Sequence, residues 1–277
     1  MSNVDPFFTI GRNLSAFVSG LSGSDPSSAA AAGAANPFPD AGIDGFLSHF
    51  VFTIQLGTAH AKPVHITLPV ATQTVARSKP FIYHGGETVE VPLPPGCTLS
   101  NRISDSEFPQ RPSPYFQPGK EVVWLQILNL DARGDTALGP VRIILGETLK
   151  REYPDLFQPS LGVAQSLGRS GFPARLFFDP CAIVETKAGN FRAVHGVLAY
   201  SKIEEFPPVG SAVQTTDIIP LHTVEELRKA AATPNAAAAA PAPSAQVLAL
   251  SHPIDATLRT SGAQAFALVE QSSTAAK

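Results

Sequence analysis

The stretch Glu121-Val-Val-Trp-Leu-Gln-Ile-Leu-Asn-Leu130 constrains the fold more than any other part of this chain. It contains neither glycine nor proline, and its apolar residues fall on both alternations of a strand. Val123, Leu125 and Ile127 point one way, and Val122, Trp124, Leu128 and Leu130 the other. A strand of this kind needs cover on two sides. It also holds the only tryptophan of the chain, a natural core anchor whose indole N–H calls for an acceptor.

Period-two patterning recurs around it. Phe50, Phe52, Ile54 and Leu56 alternate with Val51, Thr53 and Gln55, and Val64, Ile66 and Leu68 with His65 and Thr67. Further strands are expected at Pro80–Tyr83, Glu87–Leu93, Val141–Leu145, Arg175–Asp179, Cys181–Lys187 and Phe191–Ser201, with a hairpin connection at Ala188-Gly-Asn190. The proline-rich stretches 92–96 and 108–114 must be loops or edges. Residues 146–172 look least strand-like, with a short helix at 147–153 and a loop through Gly162–Gly171. Thr223-Val-Glu-Glu226 has the form of a capping box opening a helix. Many short strands and few helices predict a mainly β fold: an antiparallel β-sandwich or jelly-roll-like barrel with one short C-terminal helix and flexible terminal arms.

Composition sets the expected boundaries. Ser, Ala, Gly and Pro dominate 22–40, and Ala and Pro dominate 230–245. Neither stretch has enough large apolar residues to order itself. The expected organisation is an apolar arm and tether (1–45), a β-rich core (46–229), a linker (230–245) and a C-terminal tail (246–277). Within the arm, Phe7, Ile10, Leu14, Phe17 and Leu21 recur at helical spacing. A lone helix this short, weakened by Gly11 and Gly20, folds only against something.

Asp5, Asp25, Asp40 and Asp44 against Arg12 account for the whole net charge of −3. The core is therefore neutral, without the basic footprint that nucleic acid requires. No run approaches the ~20 apolar residues of a membrane-spanning helix, and the N-terminus lacks a signal-peptide pattern. A soluble, cytoplasmic protein, or one inside a viral or cellular assembly, is expected. Two cysteines, Cys97 and Cys181, make no disulfide framework or zinc spacing.

The sharpest chemical motif is Phe81-Ile-Tyr-His-Gly-Gly-Glu87, an apolar strand running into His84-Gly85-Gly86. It resembles the oxyanion-loop pattern of lipase and esterase α/β-hydrolases, in which glycines let backbone N–H groups approach a developing negative charge. The resemblance implies a nucleophile and a base, and Ala164-Gln-Ser166-Leu-Gly168 with His195 downstream could supply them. The pattern departs from that family in two ways. Ala164 replaces the first glycine of the elbow, and no strand precedes nor helix follows Ser166 in the expected elements. His84 and Glu87 could alternatively be two ligands of a cupin-like metal site in a barrel. Cys181 and His195, on either side of the hairpin, offer a thiol and imidazole, although a core cysteine is the simpler role.

Charged residues make up 16% of the chain, well under the usual ~25%, and prolines number 26. With apolar arms on linkers, this favours a non-enzymatic structural or assembly protein that acts through protein contacts, either self-assembly or a protein partner, and needs no cofactor. The alternative is a small-ligand or metal-binding jelly roll, or a hydrolase, built on the His84-Gly85-Gly86 loop.

Overall fold

A computed structural model describes residues 36–57, 61–108, 117–193, 199–215, 217–232 and 243–258. The apolar arm, most of the Ala/Pro linker and the chain beyond 258 lie outside these. The strands are β1 (Gly42–Leu56), β2 (Val64–Arg77), β3 (Phe81–Ile82), β4 (Thr88–Glu90), β5 (Arg102–Ser104), β6 (Glu121–Thr136), β7 (Gly139–Leu145), β8 (Ser160–Ser166), β9 (Ala174–Asp179), β10 (Ile183–Thr186), β11 (Gly189–Ala193), β12 (Ala199–Ile203), β13 (Ala212–Thr215), β14 (Ile219–Thr223) and β15 (Ala245–Leu258). Two α-helices, α1 (Gly146–Glu152) and α2 (Val224–Ala232), and a 3-10 turn at Asp105–Glu107 complete the regular structure among the described residues. Neither helix is long and apolar enough to cross a membrane.

All but β4 and β5 belong to one antiparallel sheet, and the sheet closes on itself. Four long strands, β15-β1-β2-β6, form a continuous wall. The free edges of β6 and β15 are each shared by two partners. Residues 122–127 of β6 pair with β8, and 130–136 pair with β7. Residues 250–253 of β15 pair with β13, and 245–247 with β14. The wall is thus closed twice, by β8-β9-β12-β13 at one end and by β7-β10-β11-β14 at the other. Closure removes the long edges that a flat sheet would expose.

The predicted mainly β architecture is what the chain adopts, and β6 is buried on both faces. Inside, Val123, Leu125 and Ile127 join the main core; outside, Val122, Trp124 and Leu128 pack under the excursion from β3 to β5. Leu130 departs from simple alternation and faces inward with Ala132. The cause is a bulge: Ile127 pairs with Val75 and Asn129 with Thr74, so Leu128 is the extra residue and the pleat changes phase. Gly146 lies behind it with φ +65°, and a Cβ there would come within 2.3 Å of the Leu128 carbonyl oxygen. Trp124 meets Phe81 and Phe108 edge to face at 5.5 and 5.1 Å. Its indole N–H has no acceptor among the described residues.

Several boundaries differ from expectation. The core begins before Phe46, with Phe38 packed in it and β1 starting at Gly42, and it includes β15, which the sequence pattern assigned to a tail. The loop expected through Gly162–Gly171 is in its first half part of the buried strand β8. The β10–β11 hairpin forms at the expected connection and pairs Ile183 with Arg192. Helix α2 starts at the predicted capping box, with Glu226 N–H donating to Thr223 Oγ1 (3.2 Å) and Thr223 N–H to Glu226 Oε2 (2.8 Å). Its Val224 and Leu227, with α1 Leu149, cover Ile144 and Ile183 on the outside of the barrel.

Candidate functional site

Bulges in three of the long strands lie where the two closures meet, and they decide which side chains enter the barrel. In β2, Ile66 and Leu68 face inward; past the register shift between Val70 and Gln73, Gln73 and Val75 do so. In β15, Ala245 and Val247 face inward. Leu248 is then skipped in the pairing with β1, and Leu250, His252 and Ile254 take over. Without these phase changes Gln73 and His252 would point outward.

They reach a hollow in the main core. Its walls are apolar, with Phe46 and Phe50 from β1, Leu176 and Phe178 from β9, and Val213 from β13. Phe206 and Leu250, both partly exposed, stand at its edge. The cavity volume open to water-sized molecules is small, about 40 Å³.

The polar groups on this wall form a chain. Ser48 Oγ donates to Gln73 Oε1 (3.4 Å), and His252 Nε2 lies 2.7 Å from Ser48 Oγ. Ser48 has one proton, so when it is given to Gln73 the His252 Nε2–H is the donor to Ser48. The imidazole stacks on Phe50 with ring centroids 4.2 Å apart. Burial, reinforced by nearby His49 and opposed by Asp255, drives the His252 pKa down to about 3. His252 is therefore neutral at physiological pH. Gln73 is 2% exposed, and its amide nitrogen makes no hydrogen bond among the described residues.

The residues of the predicted catalytic motif are placed elsewhere. The backbone N–H groups of His84 and Gly85 both donate to the Glu87 carboxylate, at 2.9 and 3.1 Å for Gly85, and Gly86 N–H donates to Asp105 (3.2 Å). The glycine loop thus spends its donors on its own acids, and the His84 side chain is exposed. Glu87 is brought to His84 by this capping. No group of three or more His, Cys, Asp or Glu suited to a metal ion occurs among the described residues. Ser166 closes β8, opposite Ala174, with its Oγ buried and without a hydrogen-bond partner. A loop leads from it into β9, so the strand–turn–helix of a nucleophile elbow is not formed. His195 lies outside the described residues, as do Phe7, Ile10, Leu14, Phe17 and Leu21.

Two further clusters sit on the outer face. Arg142 bridges Asp131 (2.6 Å), Glu152 (2.7 Å) and Glu185 (3.3 Å). Burial works to raise the Asp131 carboxyl, but hydrogen bonds from Arg142 and Arg133 overcome it and hold the pKa at about 2. Cys181 accepts from Arg192 (3.1 Å), yet burial outweighs the guanidinium and pushes the thiol up.

No known protein-family profile and no curated protein matches this sequence. Among solved structures, the chain is similar to "DynF from the Dynemicin Biosynthesis Pathway of Micromonospora chersina", at 13% identity and a TM-score of 0.53, over 83% of this chain and 88% of that one. At this identity the likeness is one of fold alone. The sequence had no local signal for the Ser48–Gln73–His252 chain: the three come from β1, β2 and β15, and two of them are turned inward by bulges.

Proposed function

We propose that this protein binds a small, largely apolar molecule inside the barrel. The observation that carries the reading is a polar chain, Gln73–Ser48–His252, on the wall of an otherwise apolar hollow. The amide nitrogen of Gln73 makes no hydrogen bond among the described residues, so it can donate to an acceptor on a ligand. Ligand sites commonly combine an apolar wall with a few such groups, and barrel interiors are a frequent place for them. The narrow free space means that a ligand enters by displacing side chains at the edge, where Phe206 and Leu250 are partly exposed.

The test is a fluorescence titration with 1-aminoanthracene, a small neutral aromatic. Saturable binding is expected at one site per chain, and it should be lost in Val213→Phe, which fills the hollow. Equal binding by a folded Val213→Phe variant counts against the interior site.

Assembly through protein contacts is a second reading. Its support is the apolar stripe of the N-terminal arm and four exposed large apolar residues in the barrel, Leu47, Ile82, Val209 and Ile218. A monomeric mass in solution at micromolar concentration would remove it.

A further inference from the structure

We infer that the ligand of the hollow is an uncharged molecule carrying an oxygen acceptor, such as an alcohol, ketone or ester, and that the hollow discriminates against carboxylates of the same chain length. The inference rests on the interior-site reading and adds the chemistry of the ligand's polar end.

Gln73 supplies the attraction. Its Oε1 is occupied by Ser48 (3.4 Å), which leaves the two N–H donors of the amide for whatever enters. A carbonyl or hydroxyl oxygen satisfies such a donor without bringing charge into the core. His252 Nε2–H donates to Ser48 at 2.7 Å, which directs the Ser48 proton towards the amide oxygen of Gln73.

The wall supplies the discrimination. None of the residues lining the hollow is Lys, Arg, Asp or Glu. The one titratable wall group, His252, is stacked on Phe50 at 4.2 Å and is kept neutral by burial, so it offers no positive charge near pH 7. The guanidinium packed near the edge belongs to Arg77, 5.7 Å from the Phe206 ring centroid, and it is already bound to the Asp44 carboxylate and the Asp40 carbonyl. A carboxylate in the hollow would be a buried ion without a counterion, and a neutral hydrogen bond from Gln73 cannot offset its desolvation.

The experiment is displacement of 1-aminoanthracene at pH 7.5 by 1-decanol, 2-decanone and decanoate, using the full chain. Decanol and decanone should displace the dye at least about ten-fold more effectively than ionised decanoate. Gln73→Leu should weaken both neutral ligands by about five-fold relative to the dye, the ordinary scale of one neutral hydrogen bond, with the dye's own affinity for the variant measured first. Gln73→Met is the second variant should the leucine variant not fold. Decanoate matching or exceeding decanol would overturn the inference while leaving the interior site standing. Neutral ligands that bind both Gln73 variants as tightly as wild type would overturn the role of Gln73. Dye binding with no displacement by either neutral ligand would also overturn the inference. A failure of the dye itself to bind would mean a hollow holding water only, and both readings would fall.

Discussion

His252→Phe should abolish most of the acid sensitivity of folding between pH 7.5 and 5. In the folded protein burial holds His252 at a pKa of about 3, against an ordinary value of 6.5. The folded state therefore binds fewer protons than the unfolded chain throughout this window, and stability rises with pH. The contribution is fully present above the unfolded pKa and is lost progressively as pH falls from 6.5 towards 3. At pH 5 an unfolded imidazole has gained about 1.5 pH units of protonation free energy, which at about 1.36 kcal/mol per unit gives a loss of about 2 kcal/mol from this residue. Asp131, held at about 2, contributes only below the ordinary carboxylate range and leaves this window clear. Phenylalanine keeps the stacking on Phe50 but cannot titrate. Urea melts of wild type and variant at pH 7.5 and 5.0 measure the difference. The wild type should lose about 2 kcal/mol more than the variant on acidification. Equal losses would show that the imidazole is not a buried neutral group, and the description of the hollow's wall would fail with it.

Other consequences follow from the same packing. Trp124→Ala should cost about 3–5 kcal/mol in denaturant melts, the range for deleting a buried aromatic, whereas a change below ~0.5 kcal/mol would show that the outer face of β6 is not core. Gly146→Ala should destabilise by at least about 2 kcal/mol, because the new Cβ meets the Leu128 backbone at a left-handed φ; an unchanged melting midpoint would refute the bulge geometry. Ser166→Ala should leave stability equal or raise it by up to about 1 kcal/mol, since it removes a buried hydroxyl with no partner. Labelling of Ser166 by a fluorophosphonate probe would instead restore the hydrolase reading. Truncation after residue 244 should prevent folding altogether, because β15 closes both ends of the barrel, and a cooperative melt of the truncated chain would contradict that closure.

The strands that could be read from the sequence are those whose pleat keeps one phase. Phe50, Phe52 and Ile54 alternate as written and all face inward. The inward turn of Leu130 and the existence of β15 were hidden for a single physical reason: a bulge shifts the apolar register by one residue, so a strand that is regular in space looks irregular in sequence. In β15 the skip at Leu248 puts Val247 and Leu250 on the same inward face, so its inward residues do not alternate along the sequence. Strand β8 was obscured by its composition, since Ser160, Gly162, Gln165 and Ser166 are buried in it without being apolar. The candidate site lay beyond sequence reasoning for a different reason. Ser48 and His252 are about two hundred residues apart and meet only because β1 and β15 pair to close the sheet. The His84-Gly85-Gly86 motif was visible, but its N–H groups are taken by Glu87 and Asp105, a partnership that motif spacing does not reveal.

The most direct measurement is methyl-resolved NMR of the protein titrated with 1-decanol. Leu130, Leu176, Val213 and Ile254 line the hollow, whereas Leu149, Ile103 and Val163 belong to the clusters on the outside of the barrel. Interior binding predicts saturable shifts and ligand cross-peaks confined to the first group. Shifts confined to the outer clusters, or none at millimolar ligand, would contradict a binding site inside the barrel.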